Sequence, residues 1–260
     1  MADQQFAGRI ALVTGGTQGV GAATARLLAQ RGAEAVAICG RRAEAGERVA
    51  ADLRQAGSRA LFVEADLSRV ADGLAVVDRV VEAFGGLDIV ANVAGVTDRG
   101  TIDDTDPATF DRLFAVNTRA PFFVMQRALP AMRARGGGAI VNVASIAAHG
   151  GASYICAYVG AKAALAAITK NVAHTVRRDR VRVNCLNMGW TATEGEDAVR
   201  RGWHAMGENW LAEVEAAQPF GRLLRPDDVA RAIAFLASDE SGIATGSVID
   251  FDQLVVGCYE

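Results

Sequence analysis

Lysine is almost absent from this sequence of 260 residues, because Lys162 and Lys170 are the only two and arginine supplies the remaining positive charge. A lysine kept in such a chain indicates a position where the compact ammonium group itself is needed. Lys162 follows Tyr158 by four residues, and residues four apart share one face of a helix. We therefore interpret Tyr158 and Lys162 as a pair that can contact one bound molecule.

Cysteine is also scarce, and the four cysteines are scattered along the chain. Cys39, Cys156 and Cys185 lie in apolar stretches, which predicts reduced cysteines in the core and excludes a disulfide framework. The three histidines lack the spacing of metal ligands, so no metal site is expected.

No excess of charge and no long apolar run is present. The formal net charge is −3 with both signs interspersed, which argues against binding to nucleic acid or to an anionic membrane surface. No run approaches the ~18 apolar residues of a membrane span, and the start MADQQFAG lacks the pattern of a leader. We therefore expect a cytoplasmic protein whose partner is a small molecule.

Short runs rich in Val, Ile and Leu alternate with longer stretches of helical period. The order begins with IALVTG, GAATARLLAQRG, AVAIC, AEAGERVAADLRQAG and ALFVEAD, and it continues to the strand VRVNCLN. Strands that are apolar throughout favour a parallel sheet covered by helices on both faces. The pattern predicts an α/β fold in which residues 1–260 form one domain.

Longer helical stretches are predicted at 68–84, 107–135, 154–178 and 226–237. Asp106 and Pro107 form a start signal for the second of them, and three glycines at 136–138 end it. Residues 190–218 contain three tryptophans and break the alternation, so we interpret them as a helical lid over a substrate site.

A glycine-rich turn, TGGTQGVG, follows the first strand and places Gly15, Gly19 and Gly21 between a strand and a helix. Glycine allows a tight turn and a close approach of the backbone to a pyrophosphate, while the helix start offers free N–H groups. The turn predicts a dinucleotide site, although its spacing is G-x-x-x-G-x-G rather than the commoner G-x-G-x-x-G.

With this turn, NVAG at 92–95, Asn117, Ser145 and the Y-x-x-x-K motif at 158–162, the chain resembles the classical short-chain dehydrogenase/reductase family over essentially its whole length. The resemblance implies a doubly wound Rossmann-type sheet of about seven strands with NAD(P) as cofactor. It also implies a catalytic set of Asn117, Ser145, Tyr158 and Lys162, and a homotetramer.

The resemblance further implies a set of cofactor contacts along the carboxyl ends of the strands. These contacts are Gly15, Thr17, Gln18, Gly19, Val20, Gly21, Arg41, Arg42, Asp66, Leu67, Asn92, Ala94, Gly95, Tyr158, Lys162, Gly189, Thr191 and Thr193. Three departures are Val93 in the N-N-A-G motif, Met188 in place of proline before Gly189, and DFDQ at 250–253 where glycines are common.

A free tyrosine, with a pKa near 10, is poorly matched to proton transfer at neutral pH. We therefore expect Lys162 to lower the pKa of Tyr158, and the resemblance implies that Lys162 also binds the cofactor ribose. Ser145 would donate to the substrate oxygen, and Asn117 would hold a water that relays protons. Candidate substrate contacts are Ser145, Tyr158, His149, Tyr154 and Trp190.

The stretch after the second strand, ICGRRAE, bears on the choice of nicotinamide cofactor. An acid at Gly40 would accept from the ribose 2′-hydroxyl, but glycine stands there and Arg41 and Arg42 follow. Arginine pairs with a 2′-phosphate, so NADP(H) is favoured and NAD(H) is possible. Gln18 replaces the basic residue that many NADP-dependent relatives carry in the glycine turn.

The function predicted is hydride transfer between NAD(P) and a secondary alcohol or ketone. The mixture of tryptophan with acidic and amide side chains at 190–218 favours a small hydroxylated substrate of the sugar or polyol type. A 3-oxoacyl-(acyl-carrier-protein) reductase is an alternative, although Pro130 and His174 stand where such enzymes carry arginines. A catalytically silent nucleotide sensor and a sugar-nucleotide epimerase are the other candidates.

Overall fold

The computed structural model of the chain describes residues 4–258. Within this range seven strands form one parallel sheet. They are β1 (Ile10–Thr14), β2 (Ala35–Gly40), β3 (Arg59–Glu64), β4 (Ile89–Asn92), β5 (Gly138–Val143), β6 (Val181–Met188) and β7 (Val248–Phe251). Their order is β3-β2-β1-β4-β5-β6-β7, which confirms the predicted Rossmann-type sheet. The strand order reverses between β1 and β4, where such sheets bind ligands at their carboxyl ends.

Nine helices lie in the same described range. They are α1 (Gly19–Gln30), α2 (Ala43–Gln55), α3 (Val70–Phe84), α4 (Pro107–Phe114), α5 (Ala120–Ala134), α6 (Cys156–Val176), α7 (Glu194–Gly202), α8 (Trp210–Ala216) and α9 (Pro226–Ala237). No helix among residues 4–258 combines the length and the apolar character needed to cross a bilayer.

Two apolar cores lie on the two faces of the sheet. In β1, Ala11 and Val13 pack with α1 and α9, whereas Ile10 and Leu12 pack with α3, α5 and α6. Successive side chains of a strand point to opposite faces, so a strand covered on both faces is apolar throughout. This explains why the strands show no alternation of polar and apolar residues.

The stretch predicted to be helical over 107–135 is helical but not uniform. It starts as predicted, because the Asp106 carboxylate accepts a hydrogen bond from the Thr109 amide at 2.7 Å. A π-helical turn at Ala115–Arg119 then separates α4 from α5 and contains Asn117. Such turns rotate side chains relative to an uninterrupted α-helix and are frequent at functional sites.

The predicted lid consists of α7, α8 and the segment that joins them. Trp210 anchors it because its ring is 2% exposed, whereas Trp203 remains 54% exposed. One prediction about the core was wrong: Cys39 and Cys185 are buried, but Cys156 is exposed at the start of α6. The apolar sequence around Cys156 did not reveal that it lies on the outward side of the first helical turn.

Candidate active site

The glycine turn between β1 and α1 adopts a conformation that larger residues could not share. Gly15 and Gly19 have φ angles of +68° and +49°, in the left-handed region that glycine adopts at no steric cost. A Cβ on Gly21 would lie 2.2 Å from the Gly15 carbonyl oxygen, and a Cβ on Gly15 would lie 2.8 Å from the Ala94 Cα. The turn is therefore packed tightly against α1 and against the segment after β4.

A cleft of about 330 Å³ lies at the carboxyl ends of β1, β2 and β4. Predicted cofactor contacts that line it are Gly15, Thr17, Gln18, Gly19, Val20, Gly21, Arg41, Arg42, Asp66, Leu67, Ala94, Gly95 and Thr193. Lining residues that were not among the predicted contacts are Gly40, Ala65, Ser68, Val93, Val96, Arg112, Val116 and Met188. The structure thus brings together most of the predicted contacts.

The cleft is positively charged at the end of β2. Arg41 and Arg42 are both exposed there, and the Arg42 guanidinium donates a hydrogen bond to the Gln18 side-chain oxygen. A Cβ on Gly40 would lie 2.7 Å from the Thr17 methyl group, so a longer acidic side chain would collide with Thr17. A backbone hydrogen bond from Ser68 and the Arg41 charge lower the pKa of Asp66, which is therefore ionised.

Asn92, a predicted cofactor contact, is not among the described residues that line the cleft and joins two strands of the sheet. It is 2% exposed, and its Nδ2 donates to the Asn142 Oδ1 across 2.8 Å from β4 to β5. Its Oδ1 has no hydrogen-bond partner within residues 4–258. The next two residues are held by Thr14, whose hydroxyl accepts from the Val93 and Ala94 amides at 3.1 and 3.2 Å.

Asn117 is fully buried in the π-helical turn and forms hydrogen bonds with the loop after β4. Its Oδ1 accepts from the Val96 amide at 3.1 Å, and its Nδ2 donates to the Val96 carbonyl at 2.9 Å. A Cβ on Gly95 would lie 3.1 Å from the Asn117 Oδ1 and 3.4 Å from the Lys162 Nζ. Gly95 therefore lets the cleft wall approach both of these side chains.

The remaining three catalytic candidates meet where β5 ends and α6 begins. Ser145 lies two residues beyond β5, and its Oγ accepts from the Ala147 amide at 3.2 Å. Tyr158 and Lys162 are one turn apart on α6 and are 7% and 4% exposed. The Lys162 Nζ donates to the Val143 carbonyl at 2.8 Å and lies 5.8 Å from the centroid of the Tyr158 ring.

The expectation that Lys162 lowers the pKa of Tyr158 is not met in the chain by itself. Burial raises the pKa of Tyr158, while a hydrogen bond with Ser145 and the charge of Arg99 lower it in part. Burial also lowers the pKa of Lys162 to about 8. Both shifts have the same cause, since a buried site disfavours the charged form of either group.

Of the three cofactor contacts predicted after β6, all within the described range, Thr193 lines the cleft and the other two do not. Thr193 lines the cleft, and its Oγ1 accepts from the Glu196 amide at 3.1 Å, which caps α7. Thr191 is 5% exposed, and its hydroxyl donates to the Gly189 carbonyl at 3.0 Å. A Cβ on Gly189 would lie 2.2 Å from the Asp252 Cγ. Within the described range, Gly189 and Thr191 support this wall from behind rather than line the cleft.

The predicted substrate contacts fall into two groups. His149 is bound away from the lid, because its Nε2 lies 2.9 Å from the Asp250 Oδ1 in the DFDQ segment. Tyr154 packs against the lid, with ring centroids 5.2 Å from Trp203 and 5.1 Å from His204. Tyr154 is therefore better placed than His149 to enclose a substrate under the lid.

Trp190 also belongs to the lid side of the site. Its indole donates to the Glu196 Oε1 at 2.9 Å, and the Arg200 guanidinium lies 4.3 Å from the centroid of its ring.

Arg99 is the main residue in this region that no sequence motif identified. It lies in the loop after β4, and its side chain is 8% exposed. Its isolated position in a loop gave no motif by which to recognise it.

The residues of the cleft fit a dinucleotide. A side chain at Gly15 or Gly21 would collide with backbone atoms, and this turn lies where a bound pyrophosphate would need close contact with the backbone. The start of α1 provides N–H groups for phosphate oxygens, and Arg41 and Arg42 provide charge at the ribose end.

Comparison with known proteins gives matches over nearly the whole chain. The family model described as Enoyl-(Acyl carrier protein) reductase matches residues 15–253. The chain is 39% identical over 253 residues to cis-4-hydroxycyclohexanecarboxylate dehydrogenase of Sinomonas cyclohexanicum, covering 96% of this chain and 97% of the relative. It is 40% identical over 248 residues to 4-formylbenzenesulfonate dehydrogenase of Comamonas testosteroni, covering 94% and 96%.

A solved structure is similar over the full fold. L-sorbose reductase from Gluconobacter frateurii, complexed with NADPH and L-sorbose, superposes with a TM-score of 0.92 at 30% identity, covering 99% of this chain and 100% of that one. These matches show an oxidoreductase that acts on CH–OH groups with a nicotinamide cofactor. The chain belongs to the short-chain dehydrogenase/reductase family, as its motifs predicted.

Proposed function

We propose that the chain interconverts a secondary alcohol and a ketone on a small ring compound, with NADP(H) as cofactor. The observation that carries this proposal is the contact of Tyr158 with Ser145 and of Lys162 with Gly95, which lines the cleft that begins at the glycine turn. When bound, the cofactor supplies the hydride in reduction and accepts it in oxidation.

The proton needed for the new hydroxyl comes from Tyr158 in the reduction. Burial keeps its phenol protonated, and the Ser145 hydroxyl can donate to the same reacting oxygen as negative charge develops on it. Lys162 stabilises the resulting phenolate by its charge from one helical turn away. Asn117 holds the backbone of Val96 and so fixes the wall next to the Lys162 ammonium.

Two features favour NADP(H) over NAD(H). Arg41 and Arg42 are exposed in the cleft, and Gly40 has no space for an acidic side chain because Thr17 lies against it. Arginine forms charge-assisted hydrogen bonds with phosphate, and the missing acid removes the usual partner of a free 2′-hydroxyl. The similarity to a reductase solved with NADPH supports the same choice.

The substrate class follows from the aromatic lid. Tyr154 and Trp203 pack together with ring centroids 5.2 Å apart, and such an aromatic pair suits a ring better than an extended polar chain. One relative is a dehydrogenase of a hydroxycyclohexanecarboxylate, whereas the solved neighbour reduces the sugar L-sorbose. The first favours an alicyclic ring, and the second keeps the predicted sugar or polyol class as the alternative.

The test is a panel of substrates, and turnover is measured by the change in nicotinamide absorbance. Cyclohexanone, 4-oxocyclohexanecarboxylate, L-sorbose and an acetoacetyl thioester are each offered with NADPH and with NADH. We expect kcat/KM to be highest for a cyclohexanone with NADPH. The highest value for the thioester would instead identify a carrier-protein-type reductase, and the absence of turnover with all four would contradict the proposal.

The remaining parts of the proposal concern the whole molecule. We propose that residues 1–260 act as one domain in which the segment 190–218 closes over the substrate. We also propose that the enzyme works as a homotetramer in the cytoplasm, where thiols such as that of the exposed Cys156 stay reduced.

A further inference from the structure

Arg99 is a buried cation whose hydrogen-bonding capacity is largely unused. Its side chain is 8% exposed. Its NH1 donates to the Thr97 carbonyl at 2.8 Å, two residues away in the same loop. Its Nε has no hydrogen-bond partner in the described part of the chain. A guanidinium has five N–H donors, and a buried cation is costly unless it is paired.

The nearest carboxylate does not fill this need. The Glu196 Oε2 lies 3.8 Å from the Arg99 NH2, which is beyond hydrogen-bonding distance. The Glu196 Oε1 accepts from the Arg200 Nε at 2.6 Å and from the Trp190 indole at 2.9 Å. Two arginines with side chains 8% and 14% exposed therefore share one carboxylate, and Arg99, Arg200 and Glu196 together carry one positive charge in excess.

Arg99 also lies beside the reacting centre. Its charge lowers the pKa of Tyr158 in part, and its guanidinium carbon is 5.8 Å from the centroid of the Tyr154 ring. The next residue, Gly100, donates its amide to the Tyr154 carbonyl at 2.9 Å and so ties this loop to the segment before α6. The position of Arg99 is thus fixed relative to the tyrosine that handles the substrate oxygen.

A second buried polar atom without a partner in the described range belongs to His204, whose ring packs against the Tyr154 ring. The His204 Nε2 is buried and has no hydrogen-bond partner within residues 4–258. Burial and the charges of Arg200 and Arg99 lower the pKa of His204, so its ring is neutral at pH 7. The His204 ring centroid lies 5.1 Å from that of Tyr154. A neutral imidazole can donate one hydrogen bond without adding charge.

We propose that Arg99 binds an oxyanion group of the substrate, a carboxylate or a sulfonate, while Tyr158 holds the carbinol of the same ring. This inference rests on the proposed function for the identity of the reacting end. The planar guanidinium fork matches two oxygens of such a group, and the oxyanion supplies the charge that Glu196 does not. Arg99 is then a specificity residue that selects anionic ring alcohols over neutral ones.

Binding is tested separately from turnover with ligands that lack a hydroxyl or keto group. The dissociation constants of cyclohexanecarboxylate, cyclohexanesulfonate and cyclohexanecarboxamide are measured by calorimetry, with and without NADP⁺. We expect at least one of the two anions to bind the wild type about 10- to 100-fold more tightly than the amide, as for a hydrogen-bonded charge pair. The anion that binds more tightly shows whether the site prefers a carboxylate or a sulfonate.

The variants are Arg99→Gln, Arg99→Lys and the control Arg201→Gln. Arg201 carries the same charge on the same helix as Arg200 but is exposed and paired with Asp197. The preference for the anion should fall to about one in Arg99→Gln, remain intermediate in Arg99→Lys and stay at the wild-type value in Arg201→Gln. Unfolding temperatures establish that each variant is folded.

A wild type without preference for either anion overturns the inference, even if no variant of Arg99 folds. A preference that survives in a folded Arg99→Gln overturns it as well. If the anions bind as expected but no ketone is reduced, the proposed function fails and the oxyanion site stands. If ketones are reduced with equal kcat/KM for 4-oxocyclohexanecarboxylate and its methyl ester, the function stands and the oxyanion site fails.

Discussion

The Lys162 ammonium donates a hydrogen bond to the Val143 carbonyl across 2.8 Å, which ties α6 to the carboxyl end of β5. This bond leaves the ammonium beside the cleft wall at Gly95, but it does not offset the loss of hydration. Burial lowers the pKa of Lys162 from 10.5 to about 8. The chain therefore keeps a destabilising charge at this position, as expected where a group is kept for chemistry.

We predict that Lys162→Met abolishes turnover without lowering stability. The pKa shift of Lys162 corresponds to a cost of about 3 kcal/mol for the charged side chain at pH 7. The variant removes this cost but leaves the Val143 carbonyl unpaired, which costs about 1–3 kcal/mol. Urea unfolding at pH 7 should give a free energy of unfolding equal to the wild-type value or up to about 2 kcal/mol higher.

The sign of the pH dependence distinguishes this explanation from a general packing effect. Above pH 8 the folded wild type releases the Lys162 proton while the unfolded chain keeps it, so wild-type stability rises with pH. The advantage of Lys162→Met should therefore shrink by about 1 kcal/mol between pH 7 and pH 9. Lys170→Met, at an exposed position of the same helix, should show no such change. A clear loss of stability in Lys162→Met at pH 7 would contradict the argument.

Tyr158→Phe tests the proton donor. The buried ring stays in place and only the hydroxyl is removed, so we expect kcat to fall by about 10²- to 10⁴-fold while the dissociation constant for NADPH changes little. Steady-state kinetics and a fluorescence titration with NADPH measure the two quantities. Turnover comparable to that of the wild type would rule out Tyr158 as the proton donor.

Arg41→Asp tests the choice of cofactor. The substitution replaces a partner for a 2′-phosphate by an acceptor for a 2′-hydroxyl, so the ratio of kcat/KM with NADPH to that with NADH should fall by about 10- to 100-fold. Arg48→Asp makes the same change in charge on α2, where Arg48 is paired with Glu44. The control should leave the ratio unchanged, and an unchanged ratio in Arg41→Asp would refute the role of Arg41.

The features that the sequence predicted well depend on local patterns. A strand buried on both faces must be apolar throughout, and a turn in which Gly21 approaches the Gly15 carbonyl admits no side chain. The pair Tyr158 and Lys162 was found because helical spacing alone puts both on one face. These requirements act within about 20 residues, so they can be read without the tertiary structure.

The features that the sequence did not reveal depend on contacts between distant segments. His149 was predicted to contact substrate, but its bond to Asp250 joins residues 101 positions apart. The raised pKa of Tyr158 results from its burial in the folded chain, and the unpaired Nε of Arg99 belongs to a buried side chain that lies close to Glu196 of α7. Periodicity and motif spacing carry no information on such burial.

The outer face of α6 leads to a prediction about assembly. The helix presents the small, exposed residues Gly160 and Ala167 on the side away from the sheet. On neighbouring helices, Phe110 of α4 and Phe122 of α5 are 46% and 38% exposed. Small residues allow close approach of two helices, and exposed aromatic rings are typical of surfaces that become buried in an assembly.

We predict that the protein is a homotetramer in which this face pairs with its copy from another subunit. Light scattering at micromolar concentration should give about four times the 27.2 kDa mass of the chain. Ala167→Arg should lower that mass, because a charged side chain would be buried between helices that approach closely. Ala56→Arg, at the end of α2 on the other face of the sheet, should leave it unchanged. A fully active monomer would show that this face of α6 is open to solvent in the working enzyme.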